Sequence, residues 1–166
     1  MIFMSQSGLT DRSREAQWDA WYVEHLRIMS SVSGIASARR FKTDNEKWPP
    51  SLAMYSVRSP DVFSDPYYQK IRGMGEWLPL IDRRFYQRNL FEGLEFAPDV
   101  PEDRVLMVID QDQPVFSYPG LQISWLKSVA LDCSAAYRGI SVVTPEAGVK
   151  LSNELGPVIA AYRPVF

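Results

Sequence analysis

The sequence predicts an α+β protein in which helices cover one side of an antiparallel sheet. Two observations lead to this prediction. Residues 1–93 show the order strand, helix, strand, strand, helix, strand, which is the ferredoxin-like order. The shorter order strand, strand, helix, strand then recurs at 122–166. In both parts a short helix begins with a capping residue, a proline and an acid, as Ser59-Pro60-Asp61 and Thr144-Pro145-Glu146.

The first three elements are a strand, a long helix and a second strand. A short apolar strand is predicted at 2–6, and Thr10 or Asp11 is a suitable cap for the helix that follows. Along 11–30, aromatic and apolar side chains recur at steps of three and four, which is typical of an amphipathic helix. Gly34 ends this helix, and an apolar strand is predicted at 35–43.

The next three elements complete the first ferredoxin-like unit. Residues 51–58 alternate as a half-buried strand does. A helix is predicted from Pro60 to about Arg72, with an interruption at Pro66. A fourth strand is predicted at 83–91, because its side chains alternate clearly between two faces.

The second part of the chain carries four more predicted strands and one helix. A connector rich in proline and acidic residues occupies 94–103, and 111–121 is too broken by proline and glycine for a helix. The predicted strands are 104–110, 122–133, 137–144 and 157–166, with the helix at 145–156.

We interpret the chain as one barrel domain made of two degenerate β-α-β-β-α-β repeats. The first repeat is 1–93, the linker is 94–103, and the second repeat, 104–166, lacks the first helix. The alternative is that β-β-α-β occurs twice by chance. If the repeat is real, the second half covers the bare face of the first sheet and closes an eight-stranded barrel within one chain. Otherwise a homodimer has to bury that face.

Composition and charge exclude several classes of protein. The net charge is -2 and no long basic stripe exists, so a nucleic-acid partner is not expected. Cys133 is the single cysteine, which excludes an internal disulfide and a multi-cysteine zinc site. With one histidine and no close acidic cluster, no metal site is expected. No signal peptide or membrane-spanning run of about 20 apolar residues is visible, so we expect a cytoplasmic protein with no membrane contact.

His25, the only histidine, is the first candidate for chemistry. A neutral imidazole exchanges a proton near pH 7, and His25 lies in the last turns of the first helix. The alternative is a packed core histidine. Glu24, its neighbour in sequence, points elsewhere on the helix and is expected to cap or to pair with Arg39 or Arg40.

Arginines, tyrosines and one tryptophan on the strands could complete a site. Arg39 and Arg40 alternate, so one of them faces the barrel interior or the helix layer, unless both reach solvent near the strand end. Tyr55 lies on the third strand. Tyr86 and Arg88 share a face of the fourth strand and could stabilise an enolate if that face is the interior; otherwise they are ordinary core.

Trp125 is a candidate cavity wall, although a buried tryptophan is more often simple packing.

Three segments together resemble a known family. They are Trp21-Tyr22-Val23-Glu24-His25-Leu26, Gly34-Ile35 followed by Ala38-Arg39-Arg40-Phe41, and the helix start Ser59-Pro60-Asp61-Val62. They are similar to the EthD-like branch of the dimeric α+β-barrel superfamily. Arg27 stands where a proline often follows the Glu-His-Leu group, and Val23 stands where an acid is common.

The resemblance implies a barrel of two ferredoxin-like sheets packed face to face, with the His25 position beside the barrel cavity. Relatives of this kind include muconolactone isomerases, polyketide cyclases, cofactor-free monooxygenases, lyases and dehydratases. Haem-binding members and accessory proteins without activity also exist.

From these observations we expect a cofactor-independent lyase, isomerase or cyclase that transfers protons on a small aromatic or polyketide-like molecule held in the barrel. His25, Tyr55 and Tyr86 would be catalytic, while Arg39, Arg40, Arg88 and Trp125 would bind the substrate. The alternatives are a non-catalytic binding or accessory protein of an oxidative degradation pathway, and a cofactor-free monooxygenase. A homodimer is compatible with each of them.

Overall fold

The structure, a computed structural model, describes residues 1–166 and contains eight strands and three α-helices. The elements, in chain order, are β1 (Ile2–Ser7), α1 (Glu15–Met29), β2 (Ile35–Lys42), β3 (Ser51–Val57), α2 (Pro66–Ile71), β4 (Gln87–Glu92), β5 (Val105–Gln111), β6 (Ser124–Leu131), β7 (Tyr137–Val143), α3 (Pro145–Leu155) and β8 (Ile159–Val165). Short 3-10 helices lie at Arg12–Arg14, Pro60–Ser64, Gly75–Leu80 and Gly156–Val158. No helix is long and apolar enough to cross a bilayer.

The eight strands close into one antiparallel barrel in the order β1-β3-β2-β8-β5-β7-β6-β4. The two halves of the chain meet at two seams, β2 with β8 and β4 with β6. The α+β barrel expected from the sequence is therefore confirmed, and it closes within a single chain. In the first half the strands lie in the order β4-β1-β3-β2, and in the second half in the corresponding order β8-β5-β7-β6. Descent of the halves from a repeat stays a prediction.

Apolar side chains fill the interior of the barrel. Ile2 and Met4 of β1 point inward, together with Leu106 and Val108 of β5. All four are essentially inaccessible to solvent, so the middle of the barrel is a packed core rather than a ligand cavity.

Helices cover the outer wall of the barrel unequally. α1 places Trp18, Tyr22 and Met29, three members of the predicted helical stripe, in the core between itself and the first sheet. α3 packs Leu151 against the outer face of β5 and β8. No helix occurs between β5 and β6, and the outer face of β6 leaves Val129 39% exposed.

One boundary differs from the sequence-based expectation, for a local reason. The predicted strand 83–91 begins only at Gln87, because the Asp82 carboxylate accepts hydrogen bonds from the backbone and the guanidinium of Arg84 and so stabilises a turn. The predicted interruption at Pro66 is present. It divides the segment into a 3-10 helix and α2, whose cap is the Asp65 carboxylate.

Candidate functional site

A small cavity lies outside the barrel wall, between α1, the end of α2 and the outer face of the first sheet. Its free volume is about 20 Å³, room for roughly one water molecule. It is lined by aromatic, cationic and small side chains: Phe3, Ser5, Tyr22, His25, Met29, Tyr55, Tyr68, Arg72, Gly73, Met74, Tyr86 and Arg88. Four of the residues selected from the sequence, His25, Tyr55, Tyr86 and Arg88, are among them.

Strand register explains why these side chains converge. Phe3 of β1 lies opposite Tyr55 of β3, and Ser5 lies opposite Arg88 of β4. Residues that pair across strands share a face, so all four point away from the barrel interior and toward the helices. Phe3 and Tyr55 stack with ring centroids 5.2 Å apart. The site therefore lies under the helix layer and not inside the barrel, where the sequence analysis had placed the substrate.

His25 enters the cavity from α1. Its ring stacks on Trp21, with ring centroids 4.6 Å apart and planes at 12°. It also forms an edge-to-face pair with Tyr22, with ring centroids 5.7 Å apart. Burial lowers the pKa of His25 to about 4, and no charged partner opposes this shift. The imidazole is therefore neutral near pH 7, and it can accept a proton.

The phenols of the cavity are neutral for the same reason. Burial raises the pKa of Tyr22 to about 12, against a smaller opposing effect of the Arg40 charge. Burial also raises the pKa of Tyr55 well above its usual value, and raises that of Tyr68. Near pH 7 these hydroxyl groups keep their protons and can donate hydrogen bonds to a developing negative charge.

Two guanidinium groups give the cavity a positive character. Arg88 is half-buried, and its side chain forms no ion pair, whereas its backbone N–H donates to the Asp132 carboxylate at 2.7 Å. Arg72 is exposed at the rim, and its Nε donates to the Gln69 side chain. No carboxylate lines the cavity, so an anionic or enolisable molecule suits it best.

Arg40 and Arg39 do not contact the cavity. Arg40 is buried under α1, where Nη1 donates to Asp19 at 2.7 Å and the guanidinium lies 4.1 Å from the Tyr22 ring centroid. Arg40 therefore packs against the Tyr22 ring without lining the cavity itself. Arg39 points the other way and pairs with Asp99 of the connector at 2.8 Å. The expected contact of Glu24 with either arginine is also wrong, since Glu24 pairs with Arg27 on the same helix.

Trp125 lies on the other half of the barrel. Its ring faces outward from β6 and packs against the apolar cluster that includes Met107 and Ile109 of β5. It is absent from the cavity lining, so it cannot share a substrate with His25 there. Trp125 has the packing role that the sequence analysis gave as its alternative.

Sequence reasoning missed Tyr68, Arg72 and Met74 as cavity residues. Tyr22 was read only as packing, although its place one turn before His25 puts both side chains on one face of α1. The signal for the others was the glycine pair around Met74. Gly73 and Gly75 have φ angles of +92° and +51°, and they bend the chain after α2 back over the cavity.

Comparisons with known proteins place the chain by fold. No protein-family model matches the sequence, and no curated protein matches it. A crystal structure of a chlorite dismutase-like protein superposes with a TM-score of 0.60 at 10% identity, covering 99% of this chain and 94% of that chain. A structure of an anthrone oxidase-like protein gives a TM-score of 0.55 at 12% identity, covering 99% and 91%.

A porphyrin does not fit the cavity of about 20 Å³, although His25 is the kind of side chain that ligates haem iron. At these identities the similarity concerns architecture alone. The protein shares with these two structures a closed antiparallel α+β-barrel fold, formed here within one chain.

Proposed function

We propose that the protein is a cofactor-independent enzyme that moves a proton on a small aromatic or polyketide-like carbon acid. One observation carries this proposal: a neutral imidazole, several neutral phenols and a guanidinium without an ion-pair partner line the same cavity. This is the set of groups that removal of a proton next to a carbonyl requires.

Each group has a distinct role in the proposed step. A neutral ring nitrogen of His25 takes the C–H proton, and the electron pair of that bond moves onto the carbonyl oxygen. Tyr55 and Tyr86 donate hydrogen bonds to the resulting enolate, and Arg88 balances its charge. Return of the proton to another carbon gives an isomer, and loss of a leaving group gives a lyase product.

The cavity has to enlarge before an aromatic ring can enter. Met74 closes one side of it and is only 4% exposed, between two glycines of positive φ. Movement of residues 72–75 would open a path from solvent past Arg72. Binding would then order the segment around the substrate and exclude water from the enolate.

The EthD-like branch is part of the same proposal. It is supported by the Trp21–Leu26 motif, whose His25 and Tyr22 both line the cavity. The fold similarity does not distinguish this branch from others of the superfamily.

The direct test is proton exchange. Purified protein is incubated in D₂O with anthrone or with benzoylacetate, and deuterium incorporation at carbon is followed by mass spectrometry. We expect the wild type to accelerate exchange and His25→Gln to lose about 10²- to 10⁴-fold of that acceleration. Asn153→Ala, an exposed change on α3, is the control and should exchange like the wild type. Full exchange by a folded His25→Gln variant contradicts the proposal.

A cofactor-free oxygenase is a second candidate, favoured by the similarity to an anthrone oxidase-like protein. It uses the same deprotonation and then passes the electrons of the carbanion to O₂. Consumption of O₂ with anthrone, measured with an oxygen electrode, separates this reaction from isomerisation. Binding of these compounds without exchange or O₂ uptake would favour a non-catalytic binding or accessory protein.

A further inference from the structure

A second concavity lies at one open end of the barrel, which we call the barrel mouth. Its volume is about 270 Å³, and its lining combines charged, amide, tryptophan and proline side chains: Gln6, Lys47, Trp48, Pro49, Gln87, Asp110, Arg138 and Pro157. Gln6 is next to Ser5 on β1, but the two side chains point to opposite faces of the strand. The barrel wall therefore separates the mouth from the His25 cavity.

Arg138 is the deepest charged group of the mouth. Its side chain is fully buried, and Nε and Nη2 each donate to the Asp110 carboxylate at 2.7 Å. Its third nitrogen, Nη1, meets only the Met4 sulfur at 3.5 Å. A thioether is a weak acceptor, so this guanidinium nitrogen retains strong donor capacity.

Gln6 carries a buried hydrogen-bond acceptor that has no donor. It is 1% exposed, and its Nε2 donates to the Tyr162 hydroxyl at 3.3 Å. The Tyr162 proton is itself used by the Pro49 carbonyl at 2.7 Å, so the amide has to present its nitrogen and not its oxygen to Tyr162. Gln6 Oε1 is left buried without a donor. A buried carbonyl in this state costs folding free energy unless a ligand or water satisfies it.

The charges of the mouth indicate the kind of ligand. Lys47 and Arg138 are cationic and Asp110 is anionic, which leaves one excess positive charge. The free groups are thus an acceptor at Gln6 Oε1 and donors at Arg138 Nη1 and Lys47. We propose that the barrel mouth binds a small carboxylate that also carries a hydroxyl or amide N–H, of which a hydroxycarboxylate is the simplest kind.

The carboxylate lies toward Arg138 Nη1 and Lys47, and the hydroxyl donates to Gln6 Oε1. Met4 contacts the guanidinium from the core side, so its methyl group reports on occupation of the site without touching solvent.

The test is a titration of the full chain labelled with ¹³C at the methionine methyl groups. Glycolate, lactate and salicylate are compared with acetate and benzoate, which lack the hydroxyl donor. We expect a saturable shift of the Met4 resonance with the hydroxy acids, and at least tenfold weaker binding of the plain acids. The Met4 resonance is assigned with Met4→Leu.

Gln6→Met removes the unpaired acceptor and should bring the affinities for hydroxy and plain acids to the same value. Gln17→Met is the matched control on the exposed surface of α1 and should retain the preference. If Gln6→Met does not fold, Lys47→Ala serves instead, and should weaken every acid while keeping their order. His25→Gln should bind all of them as the wild type does.

Three results would overturn the proposal. They are no saturable Met4 shift with any hydroxy acid at millimolar concentration, equal binding of hydroxy and plain acids, or an unchanged preference in folded Gln6→Met. Any of these would mean that Gln6 Oε1 does not select a hydroxyl donor in the barrel mouth.

Discussion

The outer faces of β1 and β5, which hold corresponding places in the two halves of the barrel, differ in chemistry. The outward side chains of β1 are Phe3, Ser5 and Ser7, whereas those of β5 are Val105, Met107 and Ile109, followed by Gln111 at the strand end. The small serines leave space that α1 fills only in part, with Tyr22 and His25 at the edge of the gap. The larger residues of β5 pack directly against α3.

This difference indicates how the same fold can hold a candidate site in one half and a purely structural layer in the other. In the first half, polar side chains are held between a helix layer and a sheet, where burial shifts their pKa values. In the second half the same layer is an apolar contact of α3 with β5 and β8. Chemistry is therefore expected on the first half alone.

The largest effects are expected when a residue on the outer face of β1 or β5 is replaced by one typical of the other strand. Ser5→Leu should fill the cavity beside Arg88 and reduce deuterium exchange at least about 100-fold, while overpacking lowers the free energy of unfolding by about 1–3 kcal/mol. Proton-exchange rates and urea unfolding measure the two quantities. Retained exchange in this variant would show that the cavity is not the site.

The reciprocal change, Met107→Ser, should act on stability only. Met107 is 1% exposed, so loss of its side chain and burial of a hydroxyl should cost about 2–5 kcal/mol. The exchange rate of the folded fraction should equal that of the wild type. A loss of activity beyond the loss of folded protein would mean that the second half takes part in the chemistry.

The pH dependence of the unfolding free energy should report on the first half of the chain, because His25 is the only histidine. Its pKa is about 4 when folded and 6.5 when unfolded, so below pH 6.5 the unfolded chain binds a proton that the folded protein does not. Between pH 7 and 5, above the range of most carboxylates, the wild type should lose about 2 kcal/mol of unfolding free energy.

His25→Gln should remove this dependence, as followed by urea denaturation at each pH. In the wild type, exchange should stay level down to about pH 5 and fall as pH approaches 4, because the base becomes protonated. A stability that rises on acidification from pH 7 to 5 would mean that His25 is charged in the folded protein.

The smallest effect is expected from a pair of glycines, one in each half. Gly73 and Gly120 both have positive φ, +92° and +78°, and a Cβ at either would meet nothing within 4 Å. Replacement by alanine should cost about 1 kcal/mol in both, from backbone strain alone. Only Gly73→Ala should also change the rate of ligand binding, measured by stopped flow. Equal kinetic effects would argue against movement of residues 72–75.

Capping groups and alternation in the sequence located most of the strands and helices. The sequence also singled out His25, Tyr55, Tyr86 and Arg88, which line one cavity in the structure, and their role in chemistry stays a prediction. The side of the sheet was not predictable. Both faces are buried, one in the barrel and one under helices, and all six residues of β1 are buried, so alternation of burial is lost.

The sequence analysis left open which of Arg39 and Arg40 faces the helix layer, for a related reason. β2 carries a register shift between Ile35 and Ser37, which fixes which of the two arginines turns toward α1. Such a bulge has no clear signature in the alternation of this strand. The packing of Trp125 was likewise not predictable, because the cluster that it joins also takes residues from an irregular loop without periodicity.

The two faces of β1 have a consequence for sequence variation. Phe3 and Ser5 of this six-residue strand line the His25 cavity, alternate residues face the barrel interior or its mouth, and none of the six is free at the surface. Drift at one position would disturb a pocket, and drift at the next would disturb a packed core. A saturation mutagenesis scan should find β1 among the segments least tolerant of substitution, with the exposed outer residues of β6 among the most tolerant.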